Sequence, residues 1–240
     1  MQKITFEPER PLLRIGSITF LTGLAIFIIS SAFHAGREDP TNHLRVFAEY
    51  ANSAPWIAAH IGQFVGGIII FAGGFVALFR LLVRSESTTV SVLAWIGFAI
   101  AIIAASTLSI LQAVDGIALK RAVDSWVVAP AGEKMVAFRV AEGIRWTEVG
   151  TNSIYRILEG TVAIVFGVAI TLSRIVGKWI GAIGIFTGVL TIAAGVEVAY
   201  VGFASYVGLG LGANLHTYVV FWIAILGAFM WRKTMSKKAL

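Results

Sequence analysis

The sequence predicts an all-α fold, a polytopic membrane bundle of six transmembrane helices in a single domain over residues 1–240. Three observations carry this. Hydrophobic residues make up 58% of the 240 and charged residues only 13%, against about half and about a quarter in ordinary soluble domains. The uncharged stretches reach the roughly 20 residues a helix needs to cross the hydrocarbon. The segments between them are short and hold most of the charge. There is no cysteine, which removes disulfides, thiolate metal sites and cysteine nucleophiles.

The first span is expected over about 12–33, since residues 15–33 hold no Asp, Glu, Lys or Arg. Lys3, Arg10 and Arg14 precede it, but the run is long for a signal core and lacks a clean small-x-small cleavage site, so it reads as a retained anchor. The second span falls at about 55–81 and the third at about 89–114. The fourth, about 152–173, carries Arg156 and Glu159 in its early turns, and the fifth, about 178–203, carries Glu197. Residues 198–231 form one uncharged run too long for a single crossing. The chain is therefore expected to reverse at Gly208-Leu-Gly-Leu-Gly-Ala-Asn214, giving a sixth span over about 214–232.

Between the third and fourth spans, residues 115–151 have apolar positions at helical spacing, broken by Pro130 and Gly132. This predicts one or two amphipathic helices on the outer side. In the second, Met135, Val136, Val140, Ile144 and Val149 share one face, with Lys134, Glu142 and Arg145 elsewhere. Gly62-x-x-x-Gly66, Gly177-x-x-x-Gly181 and Gly184-x-x-x-Gly188 predict close helix contact, within the chain or between protomers of a homo-oligomer.

With six spans both termini share one side, and that side collects eleven of the nineteen Lys and Arg residues. The positive-inside rule then places the termini in the cytoplasm of an inner-membrane-type protein. The net charge of +6 is a topology signal, and no nucleic-acid partner is expected. Trp56, Trp126, Trp146, Trp179, Trp222 and Trp231 suit an interfacial belt, and His43 a solvated loop.

Polar residues gather at one level, in the outer half of the bilayer. His60 and Gln63 lie on the second span, Gln112 and Asp115 on the third, Arg156 and Glu159 on the fourth, Glu197 and Tyr200 on the fifth, and His216 on the sixth. Ionisable groups inside a span cost roughly 2.5–3.5 kcal/mol each on insertion scales, so they face the bundle interior and pair. These nine residues are expected to line an outward-opening cavity that binds, and in the fuller reading transports, a small molecule, lipid or ion. No cofactor is specified.

The rival reading is a membrane-embedded zinc hydrolase. His34, His60, His216 and Asp115 are its candidate ligands, because imidazole and carboxylate donors at one depth suit a catalytic zinc with an open position. Ser30-Ser31-Ala32-Phe33-His34 resembles, over these five residues, the Ser-x-x-x-His element of ceramidase-like membrane hydrolases. That resemblance implies metal-dependent hydrolysis, with Asp115 as a third-span acid. The family has seven spans and two histidines three apart on its last; this chain offers six spans and His216 alone. A haem carrier ligated by His60 and His216 and an accessory protein without its own ligand complete the alternatives.

Overall fold

A computed structural model describes residues 10–34, 36, 39–173, 175–206 and 211–235, except for the side chains of 205–206 and 211–217. It contains α1 (Arg10–Ser31), α2 (His43–Asn52), α3 (Trp56–Ile69), α4 (Val76–Val83), α5 (Thr88–Ala113), α6 (Lys120–Val128), α7 (Lys134–Ser173), α8 (Lys178–Val201) and α9 (Leu211–Met235). Among the described residues six helices are long and apolar enough to cross a membrane, and there is no strand. The chain is an integral membrane protein of the multi-pass helical class.

The spans form a ring in chain order. α1 packs on α3, α3 and α4 on α5, α5 on α7, α7 on α8, α8 on α9, and α9 returns to α1. Ser17 Oγ donates to the Gly227 carbonyl at 2.7 Å, which brings the start of α1 beside the last turns of α9. Aromatic rings fill the ring's centre. Phe75 stacks on Phe166 at 5.4 Å and lies 5.2 Å from Phe20, 5.5 Å from Phe71 and 6.2 Å from Trp222.

Small residues set the helix separations. On α7, Ser153, Gly160 and Gly167 recur every seven residues; on α8, Gly181, Gly188 and Gly195 do the same in the opposite direction. A Cβ on Gly160 would lie 2.5 Å from the Gly188 carbonyl, and one on Gly188 equally close to the Gly160 carbonyl. Gly167 and Gly181 face each other likewise, and Ser153 Oγ donates to the Gly195 carbonyl at 2.9 Å. Such faces let backbones touch where no hydrophobic force drives helices together. Gly62 and Gly66 meet α1 at Ser30 and Gly23, whereas Gly184 meets Trp222 of α9. Five of the six glycines of the expected faces thus meet other helices of the same chain, whereas the nearest atoms to Gly177 are those of Trp179 on its own helix. Gly202, at φ +60°, ends α8 in a conformation that favours glycine.

Two spans contain a π-helical turn, Ile70–Phe75 between α3 and α4 and Val114–Leu119 between α5 and α6. Each inserts an extra residue per turn and re-aims the next stretch of helix. Through the second, α5 and α6 form one rod over Thr88–Val128, 41 residues, or roughly 60 Å, about twice the hydrocarbon thickness. α7, at 40 residues, matches it.

The outer segment expected to hold one or two amphipathic helices is built from α6 and the first turns of α7, which continue the third and fourth spans. α2 packs on this hairpin through Val46, Phe47 and Tyr50, against Leu119, Val123 and Ala141. The expected faces of α7 are also corrected. Met135, Val136 and Val140 are exposed, while Arg145 is buried, because a guanidinium paired with Glu148 and covered by aromatic rings can be taken out of water. Trp56 and Trp222 are fully buried too. Their indole N–H groups donate to the Asp115 and Ile180 carbonyls, so they belong to the core.

Replacing Gly188 by leucine must force α7 and α8 apart, with an expected loss of about 1–3 kcal/mol. A Cβ at Gly143 meets nothing within 4 Å, and Gly143→Ala should gain about 0.5–1 kcal/mol from helix propensity. Reversible unfolding in mixed micelles compares the pair.

Candidate functional site

At the end of the bundle opposite the termini, three of the sequence candidates meet. His60 enters from the first turns of α3, Asp115 from the π-helical turn after α5, and His34 from the segment following α1. One donor atom from each lies within 4.8 Å of the others. His60 Nε2 is 2.9 Å from Asp115 Oδ2, and His34 Nε2 is 4.0 Å from the same oxygen. His60 is 1% exposed, and the side chains of Asp115 and His34 are 13% and 30% exposed. The His34 side gives the cluster its opening.

Trp56 organises this group. Its carbonyl accepts from His60 Nδ1 at 2.8 Å, and its indole N–H donates to the Asp115 carbonyl at 3.1 Å. Its ring lies 4.6 Å from that of His34 and 4.7 Å from that of His60. A carbonyl can only accept, so the proton sits on Nδ1. In neutral His60, Nε2 then presents a lone pair to a carboxylate oxygen. Two acceptors 2.9 Å apart require a proton or a cation between or beside them. Asp115 Oδ1 is buried with no hydrogen-bond partner among the described residues. Gly116 makes the approach possible, since a Cβ there would lie 2.3 Å from His60 Cβ.

A charged layer surrounds the cluster. Arg145 Nη1 donates to Glu148 Oε2 at 2.7 Å; both residues are under 5% exposed. The guanidinium lies 4.3 Å from the Phe203 ring and 5.4 Å from that of Tyr50. Lys120 Nζ donates to Asp124 Oδ1 and to the Ala51 carbonyl, fastening α2 to α6. His43 contacts Glu142 at 3.1 Å, so it latches α2 to α7 and is not the solvated loop residue its setting suggests.

The other sequence candidates divide. Gln63 is buried one turn deeper on α3 and donates to Ser31 Oγ at 3.1 Å. Gln112 is buried on α5, its Oε1 without a hydrogen-bond partner among the described residues. Arg156 Nε donates to Asn152 Oδ1, and Glu159 accepts from Tyr155 Oη at 3.0 Å. These lie on α7 and do not belong to the metal-distance group. Glu197 is half-buried on α8, outside that group. Tyr200 is 86% exposed, in a surface groove between α7 and α8 with Trp146 and Ile154. The side chain of His216 and the turn residues Gly208 and Gly210 lie outside the described residues.

Sequence reasoning missed Trp56, Tyr50, Arg145 and Glu148. The available signals were the four-residue Trp56–His60 step, which allows a backbone hydrogen bond to the imidazole, and the three-residue Arg145–Glu148 step. Comparison with known protein families, with curated proteins and with solved structures found no match.

Tyr50, on α2, has its phenol pushed above its usual value near 10, chiefly by burial and against the pull of Arg145. A raised value means that folding favours the neutral phenol. The associated stability is full below the unfolded value of about 10 and is lost as pH rises past it. Tyr50→Phe should therefore flatten the fall of the thermal midpoint above about pH 10.

Proposed function

We propose that this protein binds a first-row divalent metal ion, zinc-like in its ligand preference, through His34, His60 and Asp115. The observation that carries the reading is the fixed tautomer of His60. Its Nδ1–H is committed to the Trp56 carbonyl, and its Nε2 lone pair faces Asp115 Oδ2. Metal-ligating histidines are held in this way, the far nitrogen donating to a backbone carbonyl or carboxylate. Two imidazoles and a carboxylate suit zinc, iron or copper better than magnesium or calcium.

The reading narrows the broader expectation of a polar pocket for a small molecule, lipid or ion to the ion. A second reading, metal-dependent hydrolysis, draws support from the ligand count, because three protein ligands leave a coordination position open. The two separate cleanly. Cargo binding requires metal uptake into vesicles, and hydrolysis requires turnover of an acyl substrate that Asp115→Asn abolishes. The excess of Lys and Arg at the terminal side supports cytoplasmic termini, which a C-terminal fluorescent fusion tests.

Purified protein titrated with zinc is expected to bind one equivalent. His60→Gln and Asp115→Asn should abolish binding while leaving helix content intact. Trp56→Phe keeps the ring and the backbone carbonyl but removes the N–H bond to the Asp115 carbonyl, so affinity should fall by roughly 10- to 100-fold, as for other outer-shell groups. Unchanged stoichiometry in Asp115→Asn would refute the assignment.

A further inference from the structure

Two buried oxygens at the histidine–aspartate cluster have no donor. Gln112 Oε1 and Asp115 Oδ1 are shielded from solvent and accept no hydrogen bond from the described residues. They belong to residues three apart, Gln112 in the last turn of α5 and Asp115 in the π-helical turn that follows. Side chains at that spacing rise from neighbouring positions on one face. A buried acceptor without a donor is costly, and folded proteins complete such groups with protein donors or ordered water.

The packing of α3 on α5 puts Gln112 at the floor of the cluster. A Cβ on Gly116 would collide with His60 Cβ, and one on Gly67 with Leu108 Cδ2. Between these two contacts α3 carries Gln63 and α5 carries Gln112, 8% and 9% exposed. Gln63 Nε2 is committed to Ser31 Oγ. Further in, Leu108 against Gly67 makes the interface apolar. The cluster is therefore polar down to Gln112 and opens on the His34 side.

We infer that Gln112 is a positioning residue for the ion proposed at His34, His60 and Asp115. Its amide oxygen and Asp115 Oδ1 together hold one water molecule at the coordination position those three ligands leave open. The inference rests on the metal reading. Three protein donors suit a tetrahedral ion with a fourth, exchangeable place. Water has two O–H bonds, and no described group supplies either oxygen with a donor. One O–H directed to each oxygen satisfies both, while a lone pair of the water faces the ion. A carboxylate that ligates through Oδ2 and accepts through Oδ1 is held in orientation, as ligating groups are by their outer shell. The fourth place is then open to exchange with a small anion, and Gln112 sets how firmly the resident water resists displacement.

Cobalt(II) suits the same donors and absorbs in the visible, so azide entering the fourth place is titrated on the intact protein in nanodiscs at constant pH. Wild-type protein is expected to hold one cobalt and to bind azide saturably. Gln112→Met keeps the length and removes the acceptor. Its cobalt stoichiometry should stay at one, and azide should bind roughly 2- to 13-fold more tightly, the equivalent of one hydrogen bond lost by the displaced water. Gln112→Glu keeps the acceptor and should show no such gain. Gln112→Asn, drawn back by one carbon, should tighten azide in the same direction, which covers a Met variant that fails to fold. Unchanged azide affinity in a cobalt-loaded Gln112→Met or Gln112→Asn protein, or a wild-type cobalt spectrum that azide leaves untouched, overturns this inference alone. Absence of cobalt from the wild-type protein overturns the metal reading and this inference with it.

Discussion

The whole arrangement depends on the direct backbone contact between α7 and α8. Lipid tails are as apolar as leucine, so helices in a membrane gain little by hiding apolar surface from one another. Contact area has to come from close approach, and the paired glycines at 160 and 188 and at 167 and 181 provide it. A seven-residue period keeps small residues on one face over several turns, with the drift of a left-handed coil. This holds α7 as a continuous spine from the terminal side to the tip of the hairpin beyond the membrane. Tyr155 and Glu159, and further along Arg145 and Glu148, are all presented from that one rod. The ring closes through it, and the centre of that ring must be filled by large side-chain rings because the small residues are committed to the contacts.

Once the spine is set, the far end of the bundle becomes a place where charge can be buried. α2 and the hairpin formed by α6 and the first half of α7 shield it from water, while carbonyls, indole N–H groups and ring faces replace the lost solvation. A buried ion pair gains little net stability over an apolar equivalent, and losing one partner is costly. Arg145 and Glu148 therefore make better sense as an electrostatic frame for Asp115 and His60 than as a stabilising device. The His43–Glu142 and Lys120–Asp124 contacts fix α2 over this frame from two sides.

The sequence is a good guide wherever a one-dimensional pattern decides the outcome. The six spans follow from runs of uncharged residues, although the helices that carry the third and fourth spans run on to Val128 and begin at Lys134, well beyond the expected bounds of about 114 and 152. Of the nine polar residues expected to converge, His60 and Asp115 do so, joined by His34 from the metal-ligand candidates. Tyr200 turns outward, into the groove it shares with Trp146 and Ile154. Helical periodicity puts Arg145 on a polar surface because it records which residues are apolar and cannot record which charges are paired. Trp56 reads as an interfacial ring since tryptophan composition carries no information about what its N–H meets. Both cases turn on long-range partners, the Tyr50 and Phe203 rings over Arg145 and the Asp115 carbonyl at Trp56, that are set by three-dimensional packing.

The two π-helical turns are the least legible feature; one carries Asp115 and the other lines the cavity beside Glu159. An α-helix places residues every 100°, so one extra residue rotates everything beyond it by about that amount and frees a carbonyl from the regular ladder. In the third span, the freed geometry lets the Asp115 carbonyl accept from Trp56 while its carboxylate reaches His60. In the second span, the turn carries Phe71 and Phe75 into the cavity beside Glu159. Hydropathy does not distinguish the Ile70–Phe75 turn from regular helix, since its residues are as apolar as their neighbours, and in Val114–Leu119 it registers only Asp115. The nearest local sign is glycine beside the turn's critical residue, Gly116 after Asp115 and Gly73-Gly74 before Phe75, where a side chain would collide with His60, Thr19 or Phe20. A span that tolerates weaker backbone hydrogen bonding in the bilayer must recover that cost through the contacts it creates, and here those contacts are the residues that give the bundle its chemistry.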